Sequence, residues 1–168
     1  MNAIFTRRSV RTYQDRPVEA EKIDLLLRAA MQAPSAGNQQ PWEFIVVQDG
    51  ESLKKLSAMS PYAGLLAKAP LAFVLLGNEK RVKFHENWQQ DLAAAAENLL
   101  LEAAELGLGA VWLGVHPLEE RIAHIRGQFA LPPDFLPFAV IAAGYPADAN
   151  ANRFVDRYGA DRVHFEKI

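Results

Sequence analysis

Three short stretches of this chain carry residue types that could hold a small molecule. The first is Arg7-Arg8-Ser9-Val10-Arg11. Guanidinium groups grip phosphate with paired hydrogen bonds, and a hydroxyl adds a further short one. Taken alone, three arginines in five residues are most often a solvated face. The second is Pro34-Ser35-Ala36-Gly37-Asn38-Gln39-Gln40-Pro41-Trp42, a turn-rich polar loop closed by an aromatic. Its serine, asparagine and glutamines could hydrogen-bond a polar ligand edge, although loops of this composition are usually only turns. Trp42 reads as core before stacking platform. The third is Trp112-Leu113-Gly114-Val115. Gly114 is either a tight strand end or a point where a backbone amide meets a flat ligand, and the residues alone leave both open.

Other chemistry is excluded by spacing. His85, His116, His124 and His164 never pair at metal-ligand intervals, and there is no HExxH. His124 reads as a surface or capping residue on a helix. No GxSxG elbow is present. Gly107-Leu108-Gly109 precedes a strand, whereas a dinucleotide fingerprint follows one. An anion-binding cluster with no catalytic side chain suits a protein whose cofactor does the chemistry.

Composition narrows the setting. The chain has 168 residues, half of them hydrophobic and 23% charged, which fits one globular domain over 1–168 with a real core. A net charge of −2 argues against a general nucleic-acid binder or a polybasic membrane binder. Cysteine is absent, which excludes disulfides, thiolate metal sites and cysteine nucleophiles. No apolar run approaches the roughly 18 residues of a membrane span, and the N-terminus lacks the apolar core of a secretory signal. The expected address is cytoplasmic.

The elements that must position these stretches follow from periodicity. Residues 91–114 dominate: alanine, leucine and glutamate argue helix, followed by a buried strand over 110–115. At about 100° per residue, Asp91, Asn98, Glu102 and Glu105 form one narrow polar stripe, the mark of a helix buried in a subunit or between subunits. Its carboxylates read as that stripe and not as an acid/base pair. Gly107 sits where a left-handed C-cap belongs. Residues 18–32 read as an amphipathic helix ended by Pro34, and residues 2–5 as a short helix running into the arginine cluster. Asp49 or Glu51 opens a short helix, another short helical piece follows Pro61, and residues 117–128 form a last one. Strands are expected over 43–48, 71–76 and 138–143; no shape is assigned to 78–90. Four strands and about five helices, not strictly alternating, indicate α+β or a three-layer α/β arrangement. The polar tail from Ala147 has no second core of its own, so a partner subunit is the natural thing for it to pack on.

Together, Arg7-Arg8-Ser9-Val10-Arg11-Thr12-Tyr13, Ala33-Pro34-Ser35-Ala36-Gly37-Asn38-Gln39-Gln40-Pro41-Trp42, Gln90-Asp91 leading to Gly107-Leu108-Gly109-Ala110-Val111-Trp112-Leu113-Gly114, and Gly144-Tyr145-Pro146 resemble the FMN-dependent nitroreductase family in the right order. Asp156-Arg157-Tyr158 and Arg162-Val163-His164 are similar to its short bacterial members. The resemblance implies an α+β nitroreductase-like fold with a central mixed sheet flanked by helices. It also implies a homodimer with FMN at the interface and the C-terminal tail exchanged between subunits. Carried over by position, Arg7, Arg8 and Ser9 match the phosphate-binding run and Arg11 the residue at the flavin pyrimidine edge. Pro34, Ser35 and Ala36 match a loop from the second subunit, with Asn38 a nearby polar contact. Leu113 and Gly114 match the strand end whose amide reaches the flavin ring. Arg157 matches a late phosphate-binding arginine, for which Arg153 could substitute. The implied activity is transfer of hydride from NADH or NADPH to a nitroaromatic, quinone or similar small acceptor. A storage or sensor protein of the same fold would show the same flavin-binding motifs. The long lid insertion of larger members is missing.

Overall fold

A computed structural model describes residues 2–168. Its sheet consists of β1 (Trp42–Val47), β2 (Leu71–Asn78), β3 (Gly109–Gly114) and β4 (Phe135–Gly144) in the order β1-β2-β4-β3. All three pairings are antiparallel. The mixed sheet implied by the resemblance is therefore corrected. Among the described residues, the parallel pairing is the single bridge from Ser9 to Ala110, on the outer edge of β3. The near-continuous apolar runs of β2 and β4 come from burial on both faces and carry no information on strand direction.

Side-chain alternation divides two cores across this sheet. Leu71, Phe73 and Leu75 of β2 face one side, with Ile141 and Ala143 of β4. Ala72, Val74 and Leu76 face the other, with Val140 and Ala142. The first side is covered by α2 (Ala20–Met31) and α4 (Trp88–Glu105), the second by α3 (Gly50–Leu56) and α5 (Glu119–Phe129). The result is a three-layer α+β arrangement.

The long helix α4 begins three residues before Asp91 and buries Leu92, Ala95, Ala96, Leu99, Leu100 and Ala103 within this one chain. It ends as expected: Gly107 takes φ +74°, and the amide of Leu108 returns to the Ala103 carbonyl at 2.7 Å. That is the Schellman closure a glycine permits. Asp49 caps α3 by accepting the Ser52 amide at 2.8 Å. The helix at the N-terminus, α1 (Ala3–Thr6), stops before the arginine cluster, because Arg7 turns extended at ψ 131°. Residues 78–90 hold a 3₁₀ turn over Glu79–Arg81, then an irregular segment leading into α4.

Gly144-Tyr145-Pro146 is tied to the start of α2. The Tyr145 hydroxyl donates to Glu19 at 2.7 Å and accepts from Lys22 at 2.8 Å. The Tyr145 hydrogen bond, with help from Arg16, lowers the Glu19 carboxyl from 4.5 to about 2. A depressed carboxyl stabilises the fold fully above its ordinary value and loses that contribution as pH falls through the lowered one. Unfolding curves of the wild type and Glu19→Gln are thus expected to differ above pH 4.5 and to converge as pH falls toward 2. A difference that persists unchanged at the acid end would contradict the linkage.

Candidate functional site

The arginine cluster lies on an extended arm laid along the edge of β3. The amide of Val10 donates to the Ala110 carbonyl at 3.0 Å. Tyr13 holds the other end of the arm: its hydroxyl donates to the Val10 carbonyl at 2.7 Å and lies 3.2 Å from that of Ala142. Burial pushes this phenol well above its usual value against the opposing pull of Arg11, so Tyr13 stays a donor at neutral pH. Gly109 makes the close approach possible. A Cβ there would stand 2.6 Å from the Cβ of Val10.

The arm leads into two separate clefts. One, about 310 Å³, contains Arg7, Arg8 and Arg157 together with Phe5, Phe154 and Asp156. Guanidinium groups from opposite ends of the chain thus meet in one place, with a single carboxylate among them. Arg153 is exposed and is not among the lining residues. Arg7 also approaches Glu97 of α4 at 3.4 Å, a half-exposed pair of small intrinsic worth. Ser9 is exposed and bridged through its backbone.

Asn152, which the sequence did not single out, ties the tail to this arm. Its carbonyl accepts the Arg8 amide at 3.2 Å while its NH₂ donates to the Leu108 carbonyl at 2.8 Å. Beyond it the tail is uncovered, with Phe154 59%, Tyr158 76% and Phe165 86% exposed.

The second cleft, about 350 Å³, brings Arg11 to the end of β3, against Leu113 and Gly114. A Cβ on Gly114 would meet nothing within 4 Å, so its backbone borders open space that a flat ring could occupy. Arg11 itself donates to the Ser9 carbonyl at 3.3 Å. Trp112 of the same stretch completes the wall with Ser60, Tyr62 and Arg121, three residues that nothing in the sequence singled out.

Pro34, Ser35 and Ala36 line neither cleft. They border a third, about 340 Å³, over the first turns of α4. Asn38 is exposed at φ +53° and lines none of the three. Here the structure corrects the reading of Asp91 as part of a polar stripe. Asp91 is 4% exposed, accepts the Ala36 amide at 2.9 Å and accepts the Gln39 side chain at 2.6 Å. Gln39, also buried, accepts the amides of Lys83 and Phe84 at 2.7 and 2.9 Å. One carboxylate and one amide therefore set the shape of the whole loop. A lone aspartate inside an alanine- and leucine-rich helix was the available signal.

The comparisons with known proteins agree with this architecture. The model of the nitroreductase family matches residues 4–60 and 57–145. An Archaeoglobus fulgidus protein, provisionally named NADH dehydrogenase/NAD(P)H nitroreductase, is 46% identical, with 99% of this chain and 97% of the relative covered. Among solved structures, a provisionally named NADH oxidase from Clostridium acetobutylicum superposes with a TM-score of 0.95 at 57% identity, covering 99% of both chains. An FMN-dependent nitroreductase from Clostridium difficile gives 0.91 at 32% identity, again with 99% of both chains covered. The arm, the loop and the β3 end thus stand in an architecture shared along essentially its full length, and the chain belongs to the nitroreductase family.

Proposed function

We propose that the chain is an FMN-dependent oxidoreductase that takes hydride from NADH or NADPH and passes it to a small nitroaromatic, quinone or similar acceptor. The observation that carries this reading is the pair of clefts on one arm, three arginines in the first and Arg11 beside the bare Gly114 backbone in the second. The FMN-dependent relative and the NAD(P)H-named relative support it. Bound FMN would supply the two-electron hydride chemistry. Arg7, Arg8 and Arg157 would neutralise its phosphate, with Ser9 adjacent and Arg153 the alternative to Arg157. Arg11 would meet the pyrimidine edge, and the amides at Leu113 and Gly114 would orient the ring.

The same reading makes the active unit a homodimer. Pro34, Ser35 and Ala36 line no part of the arm clefts, which fits a loop that completes the neighbouring subunit's site, with Asn38 close by. The exposed rings of the tail, and Phe5 at 60% exposed, form an apolar surface that a second copy would cover. No helix among the described residues is long and apolar enough to cross a membrane, and a cytoplasmic address with no nucleic-acid partner suits the proposed reaction.

Arg7→Ala and Arg157→Ala test the phosphate assignment. A charge-assisted hydrogen bond to phosphate contributes about 1.5–3 kcal/mol. Each variant is expected to bind FMN roughly ten- to hundredfold more weakly, measured by flavin fluorescence titration, with unfolding unchanged. Full FMN retention by both would contradict it.

A further inference from the structure

Resting on this flavin reading, we propose that Arg121 is a second cationic residue at the pyrimidine end of the ring and favours the reduced over the oxidised cofactor. Arg121 lines the same cleft as Arg11, Leu113 and Gly114, and no carboxylate is among the lining residues. It stands third in α5, in a first turn that already carries Glu119 and Glu120. A helix dipole disfavours a cation there, so something other than helix electrostatics must hold it. Part of the answer is the Gly114 carbonyl, which accepts from Arg121 Nη1 at 2.7 Å. That bond uses one of the five guanidinium N–H groups. Among the described residues no ion pair engages Arg121. Arg121 stands between this cleft and an adjoining one that Glu119 and Glu120 line with it, and neither carboxylate comes within ion-pair distance of its guanidinium. The arrangement is a half-buried positive charge with no ion-pair partner among the described residues, fixed to the strand end that the ring would face.

The charge has a use in the proposed reaction. Hydride from NADH or NADPH carries two electrons and one proton. The nicotinamide would leave as a cation, and bound FMN would carry one added negative charge, gathered at its pyrimidine end. Passing the hydride to the acceptor, which takes its second proton from water, removes that charge again. A fixed cation close to the pyrimidine end stabilises the charged form selectively, because the neutral oxidised ring gains little from it. Arg11 alone would supply one such charge; Arg121 doubles it without any new element of structure.

The experiment compares the purified full chain with Arg121→Gln, Arg121→Met and Arg121→Lys, each reconstituted with FMN. The dissociation constant of oxidised FMN is measured by fluorescence, and the midpoint potential by equilibration with a redox dye. Gln and Met are expected to shift the ratio of reduced to oxidised affinity about tenfold toward the oxidised form, a potential lower by roughly 30 mV for a two-electron couple. Lys is expected to stay close to the wild type. Met keeps an unbranched apolar stem over the same surface and guards against misfolding of the Gln variant. If Arg121 merely anchors Gly114, both oxidation states weaken together and the potential stays put. That result, or a lowered potential in Lys equal to that in Gln, overturns the proposal. Failure of the wild type itself to bind FMN would instead remove the flavin reading on which it rests.

Discussion

Asp91→Ala is expected to lower the free energy of unfolding by about 3 kcal/mol and to release the 34–41 loop. The carboxylate is buried and is the acceptor for both the Ala36 amide and the Gln39 side chain. Its removal leaves two donors without their acceptor, one of them on the buried Gln39 side chain, and each unsatisfied buried group costs about 1–3 kcal/mol. The effect spreads because Gln39 also receives the amides of Lys83 and Phe84. Gly37 gives the loop little room to adjust. It sits at φ +52° with the Phe84 ring packed on the position its Cβ would take. Asp91→Asn keeps one acceptor oxygen and should cost less. Denaturant unfolding gives the stability, and amide exchange at Ala36, Lys83 and Phe84 reports the loop. An Asp91→Ala protein with wild-type stability and wild-type protection at these amides would refute the assignment. If the loop completes a partner's site, the variant also binds FMN more weakly although Asp91 need never touch it.

Gly109→Ala is expected to destabilise the chain by about 2 kcal/mol, in the range found for overpacking a tight contact. The new methyl would fall 2.6 Å from both Cβ and Cγ1 of Val10. Val10 has no easy retreat, since its amide is bonded to Ala110 and its carbonyl to Tyr13. The arm must therefore lift from β3, carrying Arg7, Arg8 and Arg11 out of their clefts, so flavin affinity falls along with stability. Gly127→Ala is the control of opposite sign. A Cβ at Gly127 in α5 would meet nothing within 4 Å, and alanine in a helix interior is worth about 0.5–1 kcal/mol over glycine. Unfolding midpoints that moved in the same direction for both glycines would contradict the packing argument.

Much of this architecture could be read from local pattern. The α4 helix, its Gly107 cap and the apolar strands are signals contained within a few turns or residues, and they appear close to where the sequence puts them. Strand direction was not legible, because β2 and β4 are buried on both faces and their apolar runs would look the same in a parallel sheet. The length of α1 was overestimated because nothing in the composition of the arginine cluster reports that its backbone is claimed by Ala110. For the site, residue types were informative and grouping was not. Arg7 and Arg157 lie at opposite ends of the chain and meet only through the fold. Asp91 was assigned to a narrow polar stripe because periodicity gives the face of a helix and not what covers that face. Arg121 stood unnoticed for the same reason: one basic residue among many gains meaning only beside Gly114.

FMN held between two copies of this chain, as proposed above, would make flavin and dimer inseparable. Sedimentation of the freshly purified protein, followed in both the protein and flavin absorption bands, tests it directly. The expected result is one yellow species with the mass of two chains and one flavin per chain, bleached by NADH or NADPH without oxygen. A colourless species with the mass of one chain, still colourless after incubation with excess FMN, would contradict it.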